Sequence, residues 1–214
     1  MKTIYILRHG ETDYNNLGII QGSSINSSIN ENGRKQAQDF YEKYKNFPFD
    51  IIYITGKIRT YQSVENFINK GLKYQQLDEF NEMNWGDFEG RKKSEEMLHD
   101  LHYVLNQWKM GNTTYAPNNA ENPEDVQKRL IEGMKLVVAQ KDHKNILICM
   151  HGRAMRFLLP YLDNKPLSAM EEYPIPNLGL YVVEYNENTS SYQIIQRADI
   201  SHLTPNSVKE VLVG

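Results

Sequence analysis

Two stretches decide how this chain is read: Ile4-Tyr5-Ile6-Leu7-Arg8-His9-Gly10-Glu11-Thr12 and Ile146-Leu147-Ile148-Cys149-Met150-His151-Gly152. Each is a short apolar run that ends in His-Gly. A run without polar alternation reads as a strand buried on both faces, the usual condition in a parallel sheet covered by helices. In such sheets, ligands sit just beyond the carboxyl ends of the strands. If the two strands are neighbours, their imidazoles face each other across one pocket. The following glycines let a ligand approach the backbone closely. A lone histidine at a strand end more often bonds a carbonyl and does nothing else. Arg8 beside His9, with His-Gly repeated at a second strand end, reverses that reading. The planar fork of Arg8 matches phosphate or carboxylate.

Working outward, Phe49 to Ile54 and Tyr74 to Leu77 are further strand candidates, and residues 180–185 and 192–196 suggest a late hairpin. Polar loop residues follow the first strand, with Gly10, Asn15, Asn16, Gly18 and Gly22. Ala37, Phe40, Tyr41 and Tyr44 recur at helical spacing, as do Ile58, Tyr61, Val64, Phe67 and Ile68. Ser94 is placed to cap a helix carrying Leu98, Leu101, Leu105 and Trp108. Asn122-Pro123-Glu124-Asp125 is a strong helix start, with a capping side chain, proline at the first position and acids at the positive end of the dipole. Val126, Leu130, Met134 and Val137 continue it on one face. The alternation of strands and helices predicts an α/β three-layer sandwich with a mostly parallel central sheet flanked by helices. Arg59, at the start of the helix after the second strand, adds a cation where backbone amides also favour an anion.

The 214 residues fit one large domain. Lys and Arg total 24 against 27 Asp and Glu, giving a net charge of -3. That balance gives no footprint for nucleic acid or a membrane surface, so a small anionic substrate would be held by a few local cations. Cys149 is the one cysteine, which excludes an intrachain disulfide and fits a reducing cytoplasm. No signal-peptide pattern or bilayer-length apolar run is present. A cytoplasmic location is therefore expected. Oligomeric state stays open, and a homo-oligomer is compatible with the sequence.

Leu7-Arg8-His9-Gly10-Glu11-Thr12, with Asn15 three residues on, resembles the signature of the histidine phosphatase superfamily, which includes cofactor-dependent phosphoglycerate mutases. Gln21-Gly22 resembles that family's next motif, and Asn32 to Ala37 its first helix start. Thr55-Gly56-Lys57-Ile58-Arg59-Thr60-Tyr61-Gln62-Ser63 is similar to its Ser-x-x-x-Arg-Ala-x-Gln-Thr segment. Asn81 to Gly90 is similar to its acid-bearing loop, and Ile146 to Gly152 to its second histidine strand. Asp199-Ile200-Ser201-His202-Leu203 resembles a tail of its small phosphatases. One short motif is weak support, but an ordered set is strong. The set runs along nearly the whole chain, so one domain over residues 1–214 with a phosphoglycerate mutase-like fold is expected.

The resemblance implies a metal-independent phosphomonoesterase of the histidine acid phosphatase type, without a cofactor, acting on a small phosphorylated metabolite. His9 would attack phosphorus and form a phosphohistidine, which splits one hard step into two. It would do so neutral, with one ring nitrogen on a carbonyl such as that of Gly10. Arg8, Arg59 and His151 would neutralise the phosphoryl oxygens, each donor contributing on the order of 3 kcal/mol by analogy with an oxyanion hole. Asn15, Gln21, Gly22 and Gly152 would be further phosphate contacts. Glu82 matches the proton donor, with Glu79 and Glu89 as neighbouring alternatives. A solvated loop acid is the reading of Glu82 without the family match. Glu11 is read as orienting or capping.

Three positions depart from the family pattern. Lys57 and Thr60 stand where an apolar residue and alanine are expected, and should alter helix packing only. Arg153 follows His151-Gly152 where a small residue is common. It is read as a cation near the pocket mouth that affects substrate choice, with a surface helix residue as the equal alternative. Trp85, Phe88 and Trp108 line either the pocket or the core, and His202 touches the pocket edge.

Three rivals remain. A mutase would be expected to be longer, with Arg-x-Tyr-Gly after the acid; Trp85-Gly86-Asp87-Phe88-Glu89-Gly90 is closer to the phosphatase form. A non-catalytic binding protein would not need every catalytic position filled. A metal hydrolase lacks its Asp-rich cluster or H-E-x-x-H spacing.

Overall fold

The first histidine strand, β1 (Lys2–Arg8), lies beside the second, β4 (Asn145–Met150), in parallel register, with Arg8 opposite Met150. The His9 N–H donates to the Met150 carbonyl at 3.0 Å, so the pairing continues past the strand into the first histidine motif. This arrangement comes from a computed structural model that describes residues 1–92, 94–205 and 207. The last stretch of the expected domain, 208–214, lies outside the described residues.

β2 (Ile51–Ile54) flanks β4, and β3 (Tyr74–Gln76) forms the edge. β5 (Leu180–Asn186) and β6 (Ser191–Asp199) form the late antiparallel hairpin on the other side of β1. The strand order is β3-β2-β4-β1-β5-β6, parallel from β3 to β1 and antiparallel beyond it.

Side-chain alternation along the strands splits the core in two. Ile4, Ile6, Ile146, Ile148 and Met150 face one layer. It is closed by α4 (Glu95–Lys109), α5 (Pro123–Ala139) and α6 (Gly152–Leu162). Leu7, Leu147 and Cys149 face the other, under α2 (Glu31–Tyr44) and α3 (Ile58–Asn69). This is the expected three-layer sandwich. Cys149 is a fully buried, unpaired thiol, as its place inside a strand predicts.

The helix starts follow their caps. Asn122 Oδ1 accepts from the Asp125 N–H at 2.9 Å, and Ser94 Oγ from the Met97 N–H at 3.1 Å. Val126, Leu130, Met134 and Val137 are fully buried, each contributing roughly 1.5–3 kcal/mol of transfer energy.

Two expectations are corrected. The polar stretch after β1 contains a short helix, α1 (Asp13–Leu17), with Thr12 and Asn15 closing a reciprocal capping box and Gly18 ending it at φ 63°. In α4 the buried stripe is Met97, Val104 and Trp108, with Leu98, Leu101 and Leu105 flanking it, so the face is turned by about one residue. Among the described residues, no helix is long and apolar enough to cross a membrane.

Candidate active site

β1 and β4 deliver His9 and His151 to one place. Their ring centroids are 5.4 Å apart with planes at 61°, and both residues are buried. One nitrogen of His9 and both nitrogens of His151 are fixed. His9 Nδ1 lies 2.8 Å from its neighbour's carbonyl, Gly10 O. A carbonyl only accepts, so Nδ1 carries the proton and Nε2 keeps its lone pair. His151 Nδ1 accepts from Arg59 Nε at 3.2 Å, which leaves Nε2–H to donate to Thr55 Oγ1 at 2.9 Å. Both rings are held neutral: burial drives their pKa values well below the ordinary histidine value, with Arg59 adding to it in both cases and Arg8 in that of His9.

The cations converge from separate elements. Arg59, the second residue of α3, is fully buried; its Nη1 donates to Ile25 O at 2.7 Å. Arg8 leaves the end of β1 and donates from Nη1 to Ile175 O at 2.6 Å. Burial lowers the Arg8 guanidinium to about 10, which still leaves it charged at neutral pH. Arg8 Nε and Arg59 Nη2 are buried without a hydrogen-bond partner. A desolvated guanidinium N–H is costly to leave unpaired, so each is a donor prepared for an anion. Gly152 makes the approach possible: a Cβ there would lie 3.2 Å from Arg8 Nε.

Glu82 is buried, and its carboxylate receives three amides. Oε1 accepts from Met83 and Ala154, at 2.9 and 2.8 Å, and Oε2 from Arg153, at 3.0 Å. The acid therefore sits at the N-terminus of α6, one turn from His151, where the helix dipole favours negative charge. Glu89 is committed elsewhere. Its carboxylate takes the amides of Trp85 and Ser24, at 3.0 and 3.0 Å, and fills the space over Gly22 that any side chain there would need. Glu79 lies against Gly133 of α5.

The remaining positions divide. Asn15 Oδ1 accepts from the Thr12 backbone and hydroxyl, at 3.2 and 3.1 Å, and from Asn177 at 3.2 Å, leaving its amide NH₂ as the group to offer a ligand. Gln21 donates one amide N–H to Thr12 Oγ1 at 2.5 Å and accepts from Ser27 Oγ, which ties it into the loop. Gly22 holds that loop against Glu89. Arg153 brings its backbone to Glu82, but its side chain pairs with Glu171 and lies over the Trp85 ring, 5.3 Å from the centroid. Trp85, Phe88 and Trp108 are core. His202 stacks edge-on against Phe40, with centroids 5.2 Å apart, rather than standing at a pocket edge. Glu11 accepts from Asn30 and Asn32, at 2.8 and 3.1 Å, the orienting role expected of it.

Sequence reasoning gave no role to Thr55, Ser63 or Asn177. Thr55 orients His151. Ser63 Oγ accepts the Gly10 N–H at 2.8 Å, and Asn177 donates to the His9 carbonyl at 3.0 Å. Thr60 does more than alter packing, since its hydroxyl accepts from the Thr55 N–H at 3.2 Å and donates to Lys57 O at 2.8 Å, tying the turn that presents Thr55.

The sequence matches the histidine phosphatase superfamily (branch 1) over residues 4–197. The chain belongs to that superfamily. Among the relatives of this histidine phosphatase is an uncharacterized phosphatase, PhoE, of Bacillus subtilis (strain 168), 30% identical over 74% of this chain and 76% of its own. A probable phosphoglycerate mutase, GpmB, of Proteus mirabilis (strain HI4320) is 25% identical over 99% of both chains. Length, expected above to set mutases apart, does not separate the histidine phosphatase from this relative. The solved structure of Bacillus stearothermophilus YhfR superposes with a TM-score of 0.83 at 23% identity, over 95% of this chain and all of that one, and supports the fold.

Proposed function

We propose that the chain is a phosphomonoesterase in which His9 accepts the phosphoryl group of a small phosphorylated metabolite. The observation that carries this reading is the pair of buried guanidinium donors, Arg8 Nε and Arg59 Nη2, left unpartnered beside two neutral imidazoles. In the first step, His9 Nε2 forms a bond to phosphorus as the ester P–O bond breaks. Arg8 Nε and Arg59 Nη2 meet the oxygens on which charge redistributes, and His151 joins them as its Nε2–H turns from Thr55 to a phosphoryl oxygen. Glu82 is the acid that gives a proton to the leaving alkoxide. In the second step its carboxylate takes a proton from water, the water oxygen attacks phosphorus, and the P–Nε2 bond breaks to release phosphate. Asn15 and the Gly152 amide are further donors to the phosphoryl oxygens. Gln21, Gly22 and Arg153 act by shaping the walls around it.

Hydrolysis is favoured over mutase chemistry by the loop after Glu82, which lacks the mutase-like Arg-x-Tyr-Gly and is closed on itself by Glu89. The steps are proposed without a metal; among the described residues, no three His, Cys, Asp or Glu side chains are grouped to hold an ion. The test is a panel of phosphomonoesters, 3-phosphoglycerate included, followed by ³¹P NMR in EDTA. Inorganic phosphate is expected, with turnover unchanged by the chelator. An isomerised phosphoglycerate without phosphate release would make the enzyme a mutase. Activity lost in EDTA and restored by Mg²⁺ or Zn²⁺ would overturn the mechanism.

A further inference from the structure

Glu82 lies in a segment, residues 79–84, that is neither strand nor α-helix beyond a single 3-10 turn at Asp78–Phe80. Something else must fix it, because a proton donor misplaced by about 1 Å forfeits on the order of 10²-fold in rate. One side chain from α5 does so. Arg129 uses all five of its N–H donors. Nη1 donates to Glu79 O and Asn81 O, at 2.9 and 2.7 Å, and Nη2 to Glu82 O at 3.1 Å. Nε and Nη2 fork onto the Glu121 carboxylate, at 3.0 and 3.1 Å. Glu121 extends the grip: its Oε2 accepts the Asn84 N–H at 2.7 Å, and its own N–H donates to Asn84 O at 2.9 Å.

We infer that Arg129, braced by Glu121, is the positioning residue of the proton donor. It holds the main chain of Glu82 while the first turn of α6 holds its carboxylate. The pair lines a cleft of about 420 Å³ shared with Ser23, Asn81, Asn84 and Glu82 itself, so the clamp borders the acid rather than the deep core. Three carbonyls and a bidentate carboxylate need a planar fork with five donors. The three-donor ammonium of lysine cannot replace it.

This inference rests on the reading of Glu82 as the acid, and the experiment separates the two. Rapid-quench kinetics of the phosphoryl-transfer step are measured for Arg129→Lys, Arg129→Met, Glu121→Gln, Glu82→Gln and Glu82→Gln combined with Arg129→Met. The substrates are glycerol 2-phosphate, with a poor leaving group, and p-nitrophenyl phosphate, with a good one. Arg129→Lys and Arg129→Met should lose on the order of 10²-fold with the first and only a few-fold with the second, with KM nearly unchanged. Glu121→Gln, which keeps the arginine and its volume, should show the same split more weakly and carries the test if the Arg129 variants fail to fold. The double variant should be no worse than Glu82→Gln alone. Equal losses for both leaving groups, no loss, or additive losses in the double variant would overturn the clamp while leaving the split of Glu82→Gln standing. Absence of a split in Glu82→Gln itself would overturn both readings.

Discussion

The proposed role of His9 as nucleophile requires a free Nε2 lone pair, and its surroundings enforce that state. Burial depresses the imidazole pKa first, and Arg59 and Arg8 depress it further; the Gly10 carbonyl pulls weakly the other way. The guanidinium groups proposed to meet the phosphoryl oxygens thus also favour the unprotonated ring of His9. A ring titration of His9 by NMR in the ligand-free protein should give a midpoint below 6.5, rising in Arg59→Gln. A midpoint at or above 6.5, or one unmoved by that substitution, would contradict this account. The stability consequence has a definite sign. The folded value lies below the unfolded one, so this contribution is neutral above about pH 6.5, and stability is lost as pH falls from there toward the folded value. The principal actors here, Arg8, His9 and His151, are legible in the sequence because each terminates an apolar strand with chemistry that a buried strand has no structural use for. Thr55, Asn177 and Arg129 are not legible, because their work is defined by partners far along the chain: Thr55 and His151 are 96 residues apart, and Asn177 and the His9 carbonyl 168.

Elements built on strong local chemistry were readable for the same reason that they are stable. α5 announces itself through Asn122-Pro123-Glu124-Asp125, and the cap is formed as that tetrapeptide requires. Asn122→Ala should lower stability by about 1 kcal/mol, the usual worth of such a cap. Arg129 is nearly two turns inside the helix, so kcat should be unchanged. Chemical denaturation combined with steady-state assays checks this, and a loss of activity without a loss of stability would contradict it. α1 was unreadable because none of its residues is buried, so no apolar periodicity marks it. It exists through its Thr12–Asn15 box and the left-handed Gly18. The rotation of α4 has a comparable cause: several leucines offer two adjacent stripes, and tertiary packing of Trp108 against Trp85 and Phe157 selects one. The side-chain contacts of Arg153 belong here too, since the aromatic platform and Glu171 that engage it come from other elements.

On the scale of the molecule, the sheet order places β4 and β1 side by side at its centre, where the connections leave in opposite directions. A crevice beyond the carboxyl ends of strands at such a point is where α/β sheets bind ligands. Here it receives His9 from β1, His151 from β4, Thr55 from β2 and Arg59 from α3, and it receives Glu82 from a segment clamped to α5. Helices on both faces keep these strand ends dry, which strengthens every charge interaction there. The central claim is that this assembly passes phosphate through His9. The most direct measurement is intact-mass analysis after rapid quench of wild type, Glu82→Gln and His9→Ala with p-nitrophenyl phosphate. The account predicts one acid-labile phosphoryl group on His9, transient in wild type and accumulating in Glu82→Gln, where water activation is slowed by roughly 10²–10⁴-fold. His9→Ala should show neither label nor turnover. A label on another residue, or turnover retained in His9→Ala, would contradict it.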